Sequence, residues 1–383
     1  MTTTTVGRDV EAVVRADAAL LEADLDRFLA TPAKEPSGAP GSVYGAALRR
    51  ALHAPVADAV GSKAGQEALR PAPGAPGGGR ALRPSMVYWA YRNYRGFDGP
   101  APGDAQDDAF AAVRRAAVAV RVLLKAAVAL DDVQDGSTVR YGEPALHITH
   151  GVPLAVNTGS WLVAAALAHA ADPAVVDSLL ASVADGFQGQ AVDIATRAPG
   201  TRAELARAPH PERVSFWEAM AALKTGTLFR MPLDAALAAL RVVADERGTL
   251  NEAMRQLGLA SQLFNDVTDF VPEFAGARTH EDCDGLGNRV VLELLDSPDG
   301  APPPDPEELT GERLRSYVLG HPGLDRRLLA LSAEAAERKR AAKEAVRRVC
   351  RSADSAAYFD LTIDRKGHLI DRLHDTLRGR SGA

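Results

Sequence analysis

Two groups of acidic side chains are the residues of this chain most able to do chemistry. The first group is Asp131, Asp132 and Asp135, at the end of an apolar stretch. The second is Asp266 and Asp269, far downstream in the sequence SQLFNDVTDF. Residues three and four apart share one face of a helix, so each group directs carboxylates to one side. Unpaired carboxylates beside an apolar stripe are costly, which predicts a bound cation at the first group.

A divalent metal is the cation that this pattern favours. Gln262 lies one helical turn before Asp266, and Asn265 lies on the neighbouring row, so both add polar atoms to the second group. Mg²⁺ takes a few carboxylates and leaves its other positions to water and phosphate oxygens. About two or three Mg²⁺ ions between two such helices would neutralise a diphosphate and make it a leaving group. The alternative is a network of ion pairs that only stabilises the fold.

Several basic residues could bind such a diphosphate. Arg140 follows the first acidic group, and Lys224 begins the sequence KTG between the two groups. Arginine bonds phosphate through two parallel donors, whereas lysine supplies a point charge. Arg80 and Arg83 lie in the glycine-rich sequence GGGRALRP, which could hold a separate phosphate group. Taken alone, each of these side chains is more often a solvated surface charge than a ligand.

Composition and charge exclude several classes of protein. The chain has 383 residues, 46% hydrophobic, 25% charged and 5% aromatic, with a net charge of −6. No basic block is interleaved with aromatic residues, so nucleic-acid binding is not expected. Two cysteines, Cys283 and Cys350, without a CxxC motif argue against a disulfide framework or a zinc site. The N-terminus has no apolar signal core and the longest apolar run, 161–171, is short, so we expect a cytoplasmic protein with no membrane span.

Helical periodicity extends through most of the chain, and no stretch alternates as a strand would. It predicts an all-α bundle in one domain, residues 1–383, with a variable N-terminal region 1–40 and a proline-rich insert 296–308. Asp104 is expected to cap the long helix that carries the first acidic group. A proline-bearing connector is expected at 198–211. The helices predicted around the acidic groups span residues 153–169, 173–195, 213–229, 233–244 and 249–270.

Five motifs, in their order along the chain, resemble those of one known family. They are GGGRALRP, DDVQDGSTVRYGEPALH, FQGQAVDI, KTG and GLASQLFNDVTD. Together they are similar to the trans-isoprenyl diphosphate synthases, the polyprenyl synthetase family, over residues 77–289. The resemblance implies a class I isoprenoid-synthase helical bundle with a central cavity, Mg²⁺ on both acidic motifs, and a homodimer. In that family an allylic diphosphate ionises, and a second substrate, isopentenyl diphosphate, attacks the cation.

The residues that resemble the family's allylic-diphosphate side form one set. They are Asp131, Asp132, Asp135, Arg140, Lys224, Thr225, Gln262, Asp266 and Asp269. The side that resembles the isopentenyl site departs from the family pattern. Tyr141 stands where a second arginine normally follows, and Asn265 stands where the second motif normally begins with aspartate. The usual GKxxR is replaced by a sequence that keeps two arginines, Arg80 and Arg83. The stretch GEPALHITHGVPLAVN is most similar to the geranylgeranyl diphosphate synthase branch.

These departures favour an acceptor other than isopentenyl diphosphate. Loss of an arginine–phosphate bond costs about 1.5–3 kcal/mol, so neutral Tyr141 should weaken the binding of a diphosphate acceptor. An acceptor with a single phosphate, or with an aromatic ring to stack on Tyr141, fits better. In this the sequence resembles the geranylgeranyl-synthase-like enzymes that prenylate indole-3-glycerol phosphate, in which an NDxxD second motif also occurs. The alternatives are elongation to farnesyl or geranylgeranyl diphosphate and, third, a class I terpene cyclase or a non-catalytic synthase subunit. Arg80 and Arg83 count against the third class.

The mechanism that follows is dissociative prenyl transfer. Mg²⁺ bound by Asp131, Asp135 and Asp266 is expected to stabilise the departing diphosphate, together with Arg140 and Lys224. The allylic cation would form in a dry apolar cavity and alkylate the acceptor, and the released diphosphate would accept the proton that the acceptor loses.

The length of the prenyl donor depends on the residues one turn before the first acidic group. Ala126 and Ala127 stand there, and their small side chains leave a deep cavity that suits about fifteen to twenty carbons. Leu123, another turn back, could form the floor. The alternative is that the alanines only allow close packing between helices.

Overall fold

The computed structural model describes residues 9–30, 42–62, 82–97, 108–140, 143–242, 244–274, 285–295 and 303–381. Arg80, Asp104 and Tyr141 lie outside these ranges. The predictions made for these three residues therefore concern parts of the chain that the structure does not describe.

Helices account for almost all of the regular structure in the described residues. In chain order they are α1 Val10–Ala30, α2 Val43–Leu48, α3 Ala54–Ala57, α4 Leu82–Arg95, α5 Asp108–Asp135, α6 Leu146–His150, α7 Val152–Ala170, α8 Pro173–Ala195, α9 Pro199–Arg207, α10 His210–Ala221, α11 Thr227–Ala239, α12 Ala244–Thr268, α13 Arg289–Leu294, α14 Gly311–Leu319, α15 Leu324–Val349 and α16 Ala353–Ser381. π-Helical turns at Arg49–His53, Asp58–Ser62 and Ala222–Gly226 continue their neighbours. A short antiparallel hairpin pairs β1, Val139–Arg140, with β2, Glu143–Pro144. The predicted all-α fold is confirmed.

Polar residues begin two of the helices that border the acidic groups. Asp172 caps α8, because its carboxylate accepts the backbone N–H of Ala174 at 3.0 Å and of Val175 at 3.3 Å. Pro173 occupies the first turn of α8, where a missing N–H costs nothing. Asn288 caps α13 by accepting a backbone N–H at 2.8 Å.

Two local predictions of secondary structure are wrong, and each of them concerns a segment that contains a proline. The connector expected at 198–211 contains α9, which begins with Pro199 in its first turn. Proline is tolerated there because the first N–H groups of a helix have no helical partner. The break expected between residues 229 and 233 is absent, since α11 continues through Pro232. Pro232 is buried, and packing around it outweighs the lost hydrogen bond.

Helix α5 runs through the centre of the first apolar core. Its residues 116–120 are all fully buried, which indicates a helix covered on every side. Helices α4, α7 and α11 pack around it. Because Asp135 is its last residue, the burial of α5 carries the first acidic group inside the protein.

The second acidic group belongs to a different apolar core. Helices α10, α12, α13, α15 and α16 all contribute side chains to this core. Leu263 and Val267 of α12 are fully buried in it, on either side of Asp266 in the sequence. The two acidic groups therefore lie at the ends of two helices, and the end of α12 that carries the second group packs in a different core from α5.

Helix α7 is long and apolar enough, by length and composition, to cross a membrane. Only 28% of its most apolar window is buried, and Val152 and Val156 are exposed on its surface. A single helix of this kind is weak evidence for a membrane span, because the core helix of a globular protein passes the same test.

Candidate active site

A cavity of about 580 Å³ is bordered by α5, α8, α11 and α12. Its polar wall includes Asp131, Asp135, Gln190, Asp193, Lys224, Gln262 and Asn265. Its apolar wall includes Leu123, Leu124, Ala127, Val128, Val163, Val183 and Phe187. Leu123 precedes Asp131 on α5 by a rise of about 12 Å along the helix axis. The acidic residues therefore lie at one end of the cavity, and apolar side chains extend away from them.

The three carboxylates of the first acidic group have different environments. Asp131 and Asp135 line the cavity, whereas Asp132 is completely buried. Arg140 binds both neighbours, since its Nε donates to Asp132 Oδ1 at 2.5 Å and its Nη2 donates to Asp131 Oδ2 at 3.2 Å. Asp132 therefore anchors Arg140 beside the cavity, while Asp131 and Asp135 remain able to face a ligand.

A tight turn brings Arg140 back over the acidic group. Gly136 ends α5 with φ of +69°, a left-handed conformation that glycine adopts without strain. The backbone N–H of Ser137 donates to the carbonyl of Asp132 at 2.9 Å, and β1 then starts at Val139. The sequence DGSTVR thus places the arginine next to the carboxylates that precede it.

Lys224 lies at the centre of the acidic wall. Its Nζ is 2.5 Å from Asp193 Oδ2, 3.6 Å from Asp131 Oδ1 and 3.9 Å from Asp135 Oδ2. It lies in the π-helical turn between α10 and α11, a kind of turn that often occurs at functional sites. Lys224 thus joins α8 to the first acidic group.

The pKa values of this cluster show how its charges are balanced. The pKa of Asp131 is raised to about 6, chiefly by burial and also by the neighbouring carboxylates of Asp135 and Asp132, while Lys224 and Arg140 oppose the rise. Burial would lower the pKa of Lys224, but the carboxylates of Asp131, Asp193 and Asp135 outweigh it and the pKa is raised. Lys224 is therefore positively charged, and the cavity wall favours an additional cation.

Sequence reasoning missed three polar residues at the end of α8 and just after it, which contact the first acidic group or Lys224. Arg197 Nη2 lies 2.6 Å from Asp135 Oδ1, and Gln190 Nε2 donates to the same oxygen at 3.3 Å. Asp193 holds Lys224. Part of the signal was present in FQGQAVDI, because positions 190 and 193 share one face of a helix, whereas Arg197 lies beyond the end of α8.

The second acidic group is deeply embedded. Asp266 is 3% exposed, and its carboxylate accepts hydrogen bonds from Gln262 Nε2, Trp217 Nε1 and the backbone N–H of Arg289, each at 2.8 Å. Asp269 Oδ2 accepts a hydrogen bond from Asn288 Nδ2 at 3.0 Å. Among the described residues that line the cavity, Asp266 is included and Asp269 is not.

The remaining sequence-predicted residues of the described chain also reach the cavity. Thr225 donates its hydroxyl hydrogen to Gln262 Oε1 at 2.5 Å, which extends the hydrogen bonds of Asp266 toward the π-helical turn. Asn265 lines the cavity. Arg83 lies in the first turn of α4, and its guanidinium stacks over the ring of Phe229 with 4.8 Å between the guanidinium carbon and the ring centroid.

The chemistry of the first acidic group fits Mg²⁺, although its side chains do not converge on one point. Within the described ranges, no group of three or more His, Cys, Asp or Glu side chains has the geometry of a metal site. Asp131, Asp132 and Asp135 instead pair with Arg140, Lys224 and Arg197. Hard carboxylate oxygens around a cavity that favours a cation suit Mg²⁺, and Asp131 and Asp135 are the residues that would hold it.

A family model for polyprenyl synthetases matches residues 73–284, more than half of the chain. This chain belongs to the polyprenyl synthetase family. The family predicted from the five motifs is confirmed.

Relatives with known names match shorter stretches. Prenyl transferase paxC of Penicillium paxilli is 33% identical over 139 residues, which cover 36% of this chain and 41% of that protein. Prenyl transferase nodC of Hypoxylon pulicicidum is 31% identical over 156 residues, 39% of this chain and 44% of that one. Geranylgeranyl pyrophosphate synthase paxG of Penicillium paxilli is 27% identical over 150 residues, 38% and 37% of the two chains. The polyprenyl synthetase chain thus matches less than half the length of each relative.

Solved structures resemble the chain along most of its length. The polyprenyl synthase of Caulobacter crescentus CB15, with calcium and isoprenyl diphosphate, has a TM-score of 0.61 and 21% identity, covering 93% of this chain and 97% of that one. The geranylgeranyl pyrophosphate synthase of Lactobacillus brevis has a TM-score of 0.63 and 17% identity, covering 91% and 95%. Such likeness confirms the all-α isoprenoid-synthase bundle.

Proposed function

We propose that this protein is a Mg²⁺-dependent prenyltransferase. It ionises an allylic prenyl diphosphate and transfers the prenyl group to an acceptor other than isopentenyl diphosphate. One observation carries the proposal: Lys224 lies among Asp131, Asp135 and Asp193 at one end of a cavity that continues between apolar side chains. A diphosphate requires the charged end, and a prenyl chain requires the apolar wall.

The basic residues would bind and orient the diphosphate. Arg140, Arg197 and Lys224 each pair with carboxylates at the cavity wall. Asp131 and Asp135 would hold Mg²⁺, which would supply electrophilic stabilisation of the leaving group. The guanidinium and ammonium groups would donate to phosphate oxygens, where charge develops as the allylic bond breaks. The apolar wall keeps water away from the cation that remains.

The cavity supports a donor of intermediate to long chain length. Ala127 lines the cavity, and Leu123, another turn back along α5, lines it too. Ala126, the second alanine expected there, is fully buried and is not among the residues that line the cavity. We propose a donor of about fifteen to twenty carbons, since small residues nearest the acids leave the apolar path open.

Two features support an acceptor other than isopentenyl diphosphate, of the indole-3-glycerol phosphate type. Tyr141 replaces a cation in the sequence, so a diphosphate acceptor would lose a charge-assisted bond. The relatives paxC and nodC bear the name prenyl transferase rather than synthase. Arg83, which stacks over Phe229 at the cavity wall, is a cation suited to that single phosphate.

One assay separates the proposed reaction from its alternatives. Purified protein with Mg²⁺ and geranylgeranyl diphosphate is incubated alone, with isopentenyl diphosphate, or with indole-3-glycerol phosphate. A prenylated indole supports the proposal. A longer prenyl diphosphate with no prenylated indole contradicts it and supports elongation, whereas a hydrocarbon or alcohol from the donor alone supports cyclisation.

Elongation to farnesyl or geranylgeranyl diphosphate is the second candidate. The geranylgeranyl pyrophosphate synthase paxG is also similar to this chain, and Arg83 at the cavity wall suits an isopentenyl diphosphate as well. A terpene cyclase is the third candidate. Dolasta-1(15),8-diene synthase of Colletotrichum gloeosporioides is 31% identical over 185 residues, but these cover only 22% of that protein.

We propose that the protein acts as a homodimer in the cytoplasm. The exposed apolar side chains of α7, Val152 and Val156, suit burial against a second copy, and Ile148 of α6 is exposed close by in sequence. Light scattering on the purified protein checks the mass, and a Val156→Asp variant should shift it toward the monomer. Cell fractionation checks the location.

A further inference from the structure

The second acidic group is bonded to a short segment that crosses the edge of the cavity. This segment, residues 285–289, has the sequence GLGNR and leads into α13, and we call it the strap. Gly285, Gly287 and Asn288 of the strap line the cavity. Its hydrogen bonds and close contacts show what the two carboxylates of the second group do.

Asp266 uses most of its hydrogen-bonding capacity inside the protein. Its Oδ2 accepts from Trp217 Nε1 and from the strap N–H of Arg289, and its Oδ1 accepts from Gln262 Nε2. A carboxylate offers about four acceptor positions, so three are already used. Trp217 is fully buried and Arg289 is 5% exposed. A metal ion that displaced these donors would leave them unpaired in the interior, which costs free energy for each.

Asp269 is bonded to the same segment. Asn288 Nδ2 donates to Asp269 Oδ2 at 3.0 Å and to the carbonyl oxygen of Asp266 at 3.2 Å. The other side-chain atom of Asn288, Oδ1, caps α13. Asn288 is 4% exposed, so these bonds are shielded from water. Both carboxylates of the second group are therefore tied to neighbouring residues of the strap.

The other side of the strap is packed against α8 and the residues just after it. A Cβ at Gly285 would lie 2.5 Å from Thr196 Oγ1, and one at Gly287 would lie 2.7 Å from Asp193 Oδ1, so a side chain at either position would displace its neighbour. The N–H of Leu286 also donates to the carbonyl of Thr196 at 3.4 Å. The strap therefore connects the end of α12 with the end of α8, where Asp193 holds Lys224.

Two carboxylates of the first acidic group, those of Asp131 and Asp135, have the opposite character, as does that of Asp193. Their side chains are 28%, 15% and 19% exposed, and all three line the cavity. Apart from Gln190, a buried amide that donates to Asp135, their partners are the ends of long, flexible arginine and lysine side chains, which can turn to another anion.

We propose that Asp266 and Asp269 are positioning residues that hold the strap between α12 and α8, and that the carboxylates which bind divalent metal are those of Asp131 and Asp135. This inference rests on the metal dependence in the proposed function. It replaces the expectation that Asp266 and Asp269 are metal ligands. Ser261, Gln262 and Asn265 are then the polar side chains of α12, besides Asp266, that line the cavity.

The test compares metal affinity with stability in the full-length protein. Mn²⁺ is titrated into each variant, with and without inorganic diphosphate, and free Mn²⁺ is followed by electron paramagnetic resonance. Thermal unfolding is measured separately in EDTA. Asp266→Asn should lower Tm in EDTA by at least about 2 °C and change the Mn²⁺ dissociation constant by no more than about threefold. Asp131→Asn should weaken Mn²⁺ at least tenfold without lowering Tm.

A second variant keeps the test decisive if Asp266→Asn does not fold. Trp217→Phe removes one donor and leaves the carboxylate of Asp266 in place. It should lower Tm in EDTA and leave Mn²⁺ affinity unchanged. Tighter Mn²⁺ binding in Trp217→Phe would overturn the proposal, because a freed carboxylate would then be acting as a ligand. So would an Asp266→Asn protein with parental Tm and tenfold weaker Mn²⁺ binding.

The proposed function is contradicted by a different result from those that contradict the positioning role of Asp266. No saturable Mn²⁺ binding by the parent protein, with or without diphosphate, contradicts its metal dependence. The positioning role of Asp266 is then judged by the loss of Tm in EDTA alone.

Discussion

Gly189 of α8 lies directly against the backbone of Lys224. A Cβ added to Gly189 would be 2.3 Å from the Lys224 nitrogen and 2.8 Å from its Cα, a separation that atoms cannot adopt. On the opposite side, a Cβ at Gly258 of α12 would lie 2.4 Å from the Cα of Gly226 in the same π-helical turn. The turn that carries Lys224 thus packs against both α8 and α12, so closely that its backbone touches the backbone of each helix.

Replacing Gly189 by alanine should displace Lys224 from the acidic wall. We expect Gly189→Ala to lower kcat by about 10²-fold, because a misplacement of about 1 Å at a site of charge development has that effect. Steady-state prenyl transfer with the donor varied measures this loss. Gly248→Ala on α12 is the matched control, since nothing lies within 4 Å of a Cβ there. Equal activity of the two variants would contradict the positioning role of Gly189.

Asp131 should be essential for turnover but not for folding. We expect Asp131→Asn to lower kcat/KM by about 10²–10³-fold or more, because this carboxylate shares the site of the leaving diphosphate. Its Tm in EDTA should equal or exceed that of the parent. Asp108→Asn, at the exposed start of the same helix, is the control and should retain full activity. If Asp131→Asn retained the activity and the metal dependence of the parent, the assignment of this cavity as the active site would be contradicted.

The raised pKa of Asp131 predicts how stability depends on pH. Its pKa is about 6 in the folded protein and 3.8 ordinarily, so the folded chain holds this proton more tightly than the unfolded chain. Stability from this group falls as pH rises between these values and stays low above pH 6. In EDTA, Asp131→Asn should gain stability over the parent by roughly 1–3 kcal/mol at pH 7.5 and by little at pH 4. Denaturant unfolding at both pH values measures this, and a constant difference would contradict it.

Arg197 should contribute to donor binding. Its guanidinium lies on Asp135 at the cavity wall, 30% exposed and able to turn to a phosphate oxygen. We expect Arg197→Gln to lower kcat/KM for the prenyl diphosphate about tenfold, the size of one charge-assisted hydrogen bond. Arg207→Gln on the exposed side of α9 removes the same charge away from the cavity and should have little effect. A similar loss in both variants would show only a general effect of net charge.

Arg83 should discriminate between the two substrates. It lines the cavity over Phe229, on α4 rather than on the helices that hold the acidic wall. We expect Arg83→Gln to raise KM for the phosphorylated acceptor about tenfold and to leave KM for the donor unchanged. Arg95→Gln, at the exposed end of the same helix, is the control. If KM for the donor rises instead, Arg83 belongs to the diphosphate site.

Most of the helices could be predicted from sequence because their signals are local. The expected helix at 173–195 has the same bounds as α8, where an aspartate cap and a proline mark the start. The prediction of a helix break before residue 233 is wrong because Pro232 is buried within α11. Its burial depends on residues that are distant in sequence, so the local sequence does not reveal it. Helix α9 was not predicted because the proline at position 199 suggests a loop. Pro199 instead lies in the first turn of the helix, where proline is tolerated.

The partners of the acidic residues could not be predicted, because they come from distant segments. Arg197 reaches Asp135 across 62 positions of sequence, and Trp217 reaches Asp266 across 49. No spacing rule connects such pairs, whereas the contact of Arg140 with Asp132 spans only 8 positions and follows from a turn at Gly136.

The sequence by itself determined which side chains share a helix face and, through five motifs, the family and the all-α fold, because helix geometry repeats every few residues. Only the tertiary structure decided how each carboxylate is used. Asp131 and Asp135 face the cavity, whereas Asp132 binds Arg140 in the interior and Asp266 is surrounded by donors from three segments. Burial and hydrogen-bond saturation arise where separate helices meet, and no stretch of one helix encodes them.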